Sequence, residues 1–249
     1  METTYCAQNK PGTAGDRLSR IIFPFLILLF PMSALQAQRN VEKNASLDAG
    51  QAVNLEFKFA DKIDIRIWEK SEALVKATVD INDNQDNEAF DLMVSENSSA
   101  VTFKSEIKDM DKLQRVIRKT VTKEDGTSKT YEYCSVDMDL FFEVFLPSGV
   151  PLSINTISGD IELEEYKGEL VIKTISGFID LTLGSKEKAT LKMSTISGEI
   201  YSNLDLEFGG EKPNLPRIGG TKINAMQNGG GTRMELETIS GDIFLRKTD

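Results

Sequence analysis

Thr156-Ile157-Ser158-Gly159 occurs four times in this chain, again at Thr174–Gly177, Thr195–Gly198 and Thr238–Gly241. Each copy runs on into a short alternation of apolar and polar residues: Asp160-Ile161-Glu162-Leu163, Phe178-Ile179-Asp180-Leu181, Glu199-Ile200-Tyr201-Ser202 and Asp242-Ile243-Phe244-Leu245. The copies start 18, 21 and 43 residues apart, and the last interval is close to two periods with one degenerate copy between. A period of about 20 residues marks a solenoid. Upstream of each motif the alternation continues, with Leu152, Ile154 and Thr156 on one face, then Leu170, Ile172 and Thr174, Leu191, Met193 and Thr195, and Met234, Leu236 and Thr238. A period of two is strand geometry. The Ser-Gly pair between the two strands reads as a corner, since Gly reaches positive φ without a Cβ clash. The predicted repeat is strand, glycine corner, strand and return loop, each strand pairing with its equivalents above and below at about 4.8 Å. The inward threonines are expected to form a hydrogen-bonded ladder. Two or three β-hairpins with similar turns also explain the alternation, but not the identical four-letter corner.

Residues 1–37 read as an export signal. Lys10, Arg17 and Arg20 precede the apolar run Ile21–Phe30, and small residues lead to Ala37-Gln38. The run is too short for a spanning helix of about 20 residues, and its order fits a cleaved peptide. An uncleaved anchor is the alternative. Cleavage removes three basic and two acidic residues, leaving 26 against 37 and a net charge of −11. That balance argues against nucleic acid and an anionic membrane surface as partners, and no membrane insertion is expected after cleavage. Cys6 leaves with the signal, so Cys134 is expected to be the only thiol, with no internal disulfide. Its face is shared with Val136, Met138 and Leu140, which predicts a small buried hydrophobe. The chain has no histidine, which excludes Ser-His-Asp and Cys-His chemistry and imidazole-ligated metals.

Residues 38–149 carry strands without the exact motif. Val53, Leu55, Phe57 and Phe59 alternate with polar residues, as do Ile63, Ile65 and Ile67, and the longest run ends at Pro147-Ser148-Gly149. Strands every 10–15 residues with polar punctuation read as all-β, either irregular first repeats or a short sandwich capping the stack, whose open end would otherwise expose a sheet edge. Trp68 falls opposite Ile63, Ile65 and Ile67 and is placed on the outside. Residues 105–130 break the pattern with Lys112, Arg115, Arg118 and Lys119. They predict a projecting loop or long hairpin with room for a short helix, either simply solvated or a partner contact. Between the third and fourth motifs, Gly209-Gly210, Gly219-Gly220 and Asn228-Gly229-Gly230-Gly231 suit a degenerate repeat with an inserted loop. A phosphate cradle would need a following helix N-terminus, whereas Met234-Glu235-Leu236-Glu237 reads as a strand.

The predicted fold class is therefore all-β, with a β-solenoid (single-stranded, β-helix-like) over 150–249 and an irregular all-β N-terminal half over 38–149. Asp160, Glu162, Asp180, Glu199 and Asp242 fall on the outward side after each corner. Paired carboxylates on such a surface can perform glycoside hydrolysis or bind Ca²⁺; a solvated strand face is the plainer reading. An active site is a local exception to a repeat, and these carboxylates belong to the repeat itself. No catalytic, cofactor-binding or metal-binding residue is therefore assigned, and no cofactor is expected.

The Thr-Ile-Ser-Gly-Asp-Ile phrases, the Phe145-Leu146-Pro147 entry into the first repeat and the exported all-β N-terminal half resemble the families of bacterial envelope proteins known as putative adhesins, the head GIN-type, auto-transporter adhesin-like domains of unknown function. The resemblance covers roughly residues 45–247. It implies a β-solenoid at the cell envelope, in the periplasm or on the surface, and carries no catalytic residues. The expected function is a non-catalytic module for adhesion, scaffolding or binding, its partner an envelope glycan or protein. A polysaccharide-active β-helix enzyme and an envelope-stress signalling accessory are the alternatives.

Overall fold

The computed structural model describes residues 38–122, 125–208 and 220–248. The export segment read at 1–37 and the Gly/Pro-rich stretch 209–219 lie outside the described residues. The chain is all-β. Its strands are β1 (Arg39–Ser46), β2 (Ala52–Trp68), β3 (Glu72–Ile81), β4 (Phe90–Glu96), β5 (Ala100–Ile107), β6 (Arg115–Thr122), β7 (Ser128–Ser135), β8 (Met138–Pro147), β9 (Leu152–Glu164), β10 (Leu170–Ser176), β11 (Ile179–Leu183), β12 (Ala189–Ser197), β13 (Ile200–Ser202), β14 (Leu206–Phe208), β15 (Thr221–Gln227), β16 (Thr232–Ser240) and β17 (Ile243–Lys247). All except β6 and β7 belong to one mixed sheet.

The sheet has two arms, because β2 and β9 each change partners midway. Their first halves pair with each other, Val53 opposite Leu152 through Phe57 opposite Thr156. After a register shift between Phe59 and Lys62 their second halves pair as Lys62–Ile65 against Asp160–Leu163. On the first arm the order is β5, β2, β9, β10, β16, β12, parallel throughout. On the second arm it is β8, β2, β9, β11, β17, β13, again parallel. Antiparallel strands close three of the four ends: β4 on β5, β15 and β14 beyond β12, and β3 and β1 beyond β8. Closing an end this way meets the backbone hydrogen-bonding demand of an outermost strand.

The alternation read from sequence decides which side chains go inside. Leu152, Ile154, Leu170, Ile172, Leu191, Met193, Met234 and Leu236 are buried from the first arm, and Ile161, Leu163, Ile179, Leu181, Ile243 and Leu245 from the second. The motif-free β2 supplies Val53, Leu55, Phe57, Ile63 and Ile65 in the same way, with Phe57 stacked on Phe142 at 4.1 Å.

One expectation is overturned by the order of the repeats. The fourth copy does not follow the third. β16 pairs with β10 on one side and β12 on the other, and β17 lies between β11 and β13. The glycine corners give the same order independently. A Cβ built on Gly177 would stand 2.3 Å from the carbonyl oxygen of Gly159, one on Gly241 2.0 Å from that of Gly177, and one on Gly198 2.0 Å from that of Gly241. In these three copies the corner glycines stack carbonyl against Cα and close approach demands glycine, while at Gly159 a Cβ would stand 2.9 Å from the Ala60 Cβ. The segment expected to be a degenerate repeat instead runs back along β12 as β15. The chain then crosses the start of β12 through Asn228–Gly231, and Thr232 N–H donates to the Lys188 carbonyl at 3.0 Å. A Cβ on Gly231 would lie 2.4 Å from that same carbonyl oxygen, so the glycine run is a crossing over the end of a strand.

Two further expectations change. The threonines are buried, but they form no hydroxyl ladder. Thr156 and Thr174 donate to the carbonyls of Ser158 and Ser176, and Thr195 and Thr238 to the corner carbonyls of Gly241 and Gly177. Each hydroxyl ties down a corner. Cys134 is exposed rather than buried. It sits near the end of β7, and the chain leaves strand geometry at Val136-Asp137 before β8 starts, so it does not share the buried face of β8.

Residues Asp109–Val136 separate from the main body. A single helical turn, α1 (Met110–Leu113), precedes the antiparallel hairpin β6–β7, whose register runs from Arg115 opposite Ser135 to Thr122 opposite Ser128. Alternation puts Ile117, Lys119, Val121, Lys129, Tyr131 and Tyr133 on one side, with Val121, Tyr131 and Tyr133 exposed.

Candidate binding face

The five repeat carboxylates divide into two rows on the outer side of the second arm, and each is already engaged. Asp160 Oδ1 accepts the backbone N–H of Phe178 at 3.1 Å, and Asp242 Oδ1 accepts that of Glu199 at 2.8 Å. Both aspartates therefore clamp one repeat to its neighbour. Glu162 pairs with Lys62 at 2.7 Å, and Asp180 accepts from Arg246 Nε through both oxygens at 2.7 and 2.8 Å. The Tyr201 hydroxyl donates to Glu199 at 2.6 Å, and that carboxylate raises the tyrosine pKa above its usual value. Among the described residues no group of three or more Asp, Glu or Cys is placed to hold a metal ion.

What these carboxylates frame is aromatic. Phe244 lies opposite Asp180 on one side and Tyr201 on the other. The Tyr201 and Phe244 rings stack at 5.3 Å with 9° between their planes, and Phe178 meets Phe244 edge-on at 6.0 Å and 80°. The guanidinium of Arg246 stands 5.2 Å over the Phe244 ring while still bonded to Asp180. Tyr201 is 47% exposed and lies on β13, whose strand pairing among the described residues is to β17 alone. The result is a ring surface bordered by hydrogen-bond acceptors (Glu199, Asp180) and a donor (Arg246). Such a surface can stack on the apolar face of a sugar ring and hydrogen-bond its hydroxyls.

Reading by sequence singled out Asp160, Glu162, Asp180, Glu199 and Asp242 and missed this cluster. Tyr201 and Phe244 occupy equivalent places, six residues after Thr195 and Thr238, which was the available signal. In chain order a degenerate repeat would stand between them, and only the insertion of the fourth repeat beside the third brings the rings into contact. Trp68, expected outside, is half-buried. Its indole N–H donates to the Glu72 carbonyl at 2.9 Å, and its ring meets Phe145 at 5.4 Å and Lys70 Nζ at 4.5 Å.

No family model matches the chain, and no curated protein does. Among solved structures it is similar to a putative cell adhesion protein from Clostridium sporogenes, at 10% identity over 85% of this chain and 100% of that one, with a TM-score of 0.48. A putative adhesin from Bacteroides fragilis is 7% identical over 86% of this chain and 99% of that one, with a TM-score of 0.23. A putative adhesin from Parabacteroides merdae is 7% identical over 85% and 97%, with a TM-score of 0.21. Among the described residues no helix is long and apolar enough to cross a membrane.

Proposed function

We propose that this chain is an exported, non-catalytic binding module of the cell envelope, built as a β-solenoid, that holds a saccharide on the Tyr201–Phe244 surface. The observation that carries the reading is the stacked ring pair, with Tyr201 exposed and Phe244 half-buried, bordered by Asp180, Glu199 and Arg246. The in-register parallel pairing of the repeats supports the solenoid, and the charge and order of residues 1–37 support export. Support for a non-catalytic role comes from the carboxylates. Asp160 and Asp242 hold backbone N–H groups of neighbouring repeats, and a carboxylate fixed in that way is a poor shuttle for protons.

The test is a screen of residues 38–249 against immobilised envelope glycans, with and without Ca²⁺, followed by binding isotherms for Tyr201→Ala and Phe244→Ala. Saturable binding to one glycan, weakened at least about tenfold by either substitution (about 1.4 kcal/mol), is expected. Binding that survives both substitutions would move the site elsewhere, and turnover of any bound glycan would end the non-catalytic reading.

A further inference from the structure

The second residue of the motif is isoleucine in all four copies, and in all four it faces outward. Ile157, Ile175, Ile239 and Ile196 are 41%, 47%, 45% and 60% exposed. The register sets them in one row in that spatial order, since Ser158, Ser176, Ser240 and Ser197 are aligned beside them. Lys58 of β2 bounds the row at one end, lying between Phe57 and Phe59, which pair with Thr156 and Ser158. A shallow depression runs along the row, lined also by Asn155, Lys173, Ser194 and Glu237. Neither stacking nor core packing requires an apolar residue here, because the threonine before it fills the interior and the glycine after it makes the corner. A contiguous apolar strip on a protein surface marks a surface that is covered in use.

The polar row beside the isoleucines says what covers it. In spatial order it reads Asn155, Lys173, Glu237, Ser194, with Lys173 Nζ 3.3 Å from Glu237. Rotation by half a turn about an axis parallel to the strands, midway between β10 and β16, reverses this order. It sets Lys173 against Glu237 of a second copy and Glu237 against Lys173. Asn155 meets Ser194, Ile175 meets Ile239 and Ile157 meets Ile196. The face is self-complementary in charge and in apolar character, which is what an isologous interface requires. Its size sets the strength. Six neighbouring strands, β2 through β15 with three on each side of the axis, at ~4.8 Å and about six residues along each at ~3.3 Å give ~570 Å² per copy, or ~1,100 Å² in all, near the lower bound of specific interfaces.

We infer that the isoleucine row is the centre of a weak two-fold interface between two copies of this chain, with Lys173 and Glu237 fixing its register. The inference does not depend on the saccharide reading, because it uses the outer face of the first arm and the aromatic surface lies on the second.

Sedimentation equilibrium of residues 38–249 from about 1 to 200 μM, a range suited to a small interface, tests it. The wild-type protein is expected to pass from one chain mass to two, and Ile239→Glu to raise the dissociation constant at least tenfold. Lys173→Glu alone and Glu237→Lys alone each set like charges face to face and are expected to stay monomeric. An equimolar mixture of those two variants restores both opposite-charge contacts and is expected to dimerise. Circular dichroism spectra matching wild type separate loss of association from loss of folding. A wild-type mass that stays at one chain throughout, or a mixture that associates no better than its components, overturns the proposal.

Discussion

At the scale of single residues, the corner glycine is the tightest requirement in the fold. Gly177 is at φ +113°, and a methyl group there would stand 2.3 Å from the Gly159 carbonyl oxygen, a backbone atom that cannot move without parting two repeats. Gly177→Ala is expected to cost about 3 kcal/mol or more, read as a lowered urea midpoint. Gly184→Ala is the control. Its added methyl would meet only the flexible Glu187 side chain at 3.3 Å, and a change within about 1 kcal/mol is expected. Sequence marked these glycines as corners on the ground of backbone freedom, which holds at Gly159, Gly177 and Gly241 with their positive φ, but did not show the close approach. The stacked carbonyl that makes them obligatory belongs to a residue 18 or more positions away, and a repeat motif does not say which copy touches which. Tyr166 illustrates the other limit. It is fully buried and donates to the Val150 carbonyl, and burial raises its pKa. It lies in a return loop with no periodicity to mark it.

A buried ion pair adds a pH dependence at this scale. Glu235 is 7% exposed and accepts from Lys192 and Arg233. The Lys192 ammonium, with help from Arg233, holds its pKa down at about 2. Its folded value lies below the ordinary carboxylate value, about 4.3 in an unfolded chain. The ionised pair therefore contributes fully above that value and is lost as pH falls toward about 2. Both basic partners are partly exposed, at 35% and 68%, so the contribution is discounted to about 1–2 kcal/mol. Urea unfolding at pH 6 and pH 3 is expected to show a smaller drop in stability for Glu235→Gln than for wild type. Equal drops would remove Glu235 from the account.

At the scale of elements, the repeats were legible as strand, corner, strand because alternation and an identical corner are local signals. The pairing partners were not, because they depend on how the chain returns after β13. Sequence spacing predicted an extra repeat between the third and fourth motifs. In the fold that segment is the antiparallel β15 on the outside of β12, and the last 16 residues of sheet, Thr232–Lys247, fill a slot between earlier repeats. A C-terminal repeat in an ordinary sequential stack covers only an end and can be trimmed at modest cost. Here it pairs on both sides, so a chain ending at Gly231 leaves β10, β11, β12 and β13 each with an unpaired edge. Such a truncation is expected to lose its cooperative unfolding transition and to aggregate, as exposed parallel edges do. A truncated chain that unfolds cooperatively, with its midpoint close to that of the whole chain, would contradict this.

At the scale of the whole molecule, the out-of-order insertion is what joins composition to function. It assembles the Asp180–Phe244–Tyr201 row from residues 64 and 43 positions apart, and it sets Lys173 beside Glu237 in the isoleucine face. Both proposed surfaces would be divided if the third repeat followed the second directly. All-β architecture, the repeat and the outward carboxylates could be read from the chain alone. The aromatic surface could not, because its neighbours are fixed by topology rather than by spacing.

Disulfide trapping tests that topology most directly. Thr182 on β11 lies opposite Arg246 on β17, and Asn203 follows β13 at the equivalent place in the third repeat, beyond β17. In a Cys6→Ser, Cys134→Ser background, Thr182→Cys with Arg246→Cys puts two thiols on adjacent parallel strands, within the about 4.4–6.8 Å between Cα atoms that a disulfide spans. Thr182→Cys with Asn203→Cys puts them two strands apart, ~9.6 Å. Mild oxidation followed by mass measurement is expected to close an intramolecular disulfide in the first pair and leave the second reduced. Closure in the second pair and not the first would mean that the repeats stack in chain order, and would contradict the account.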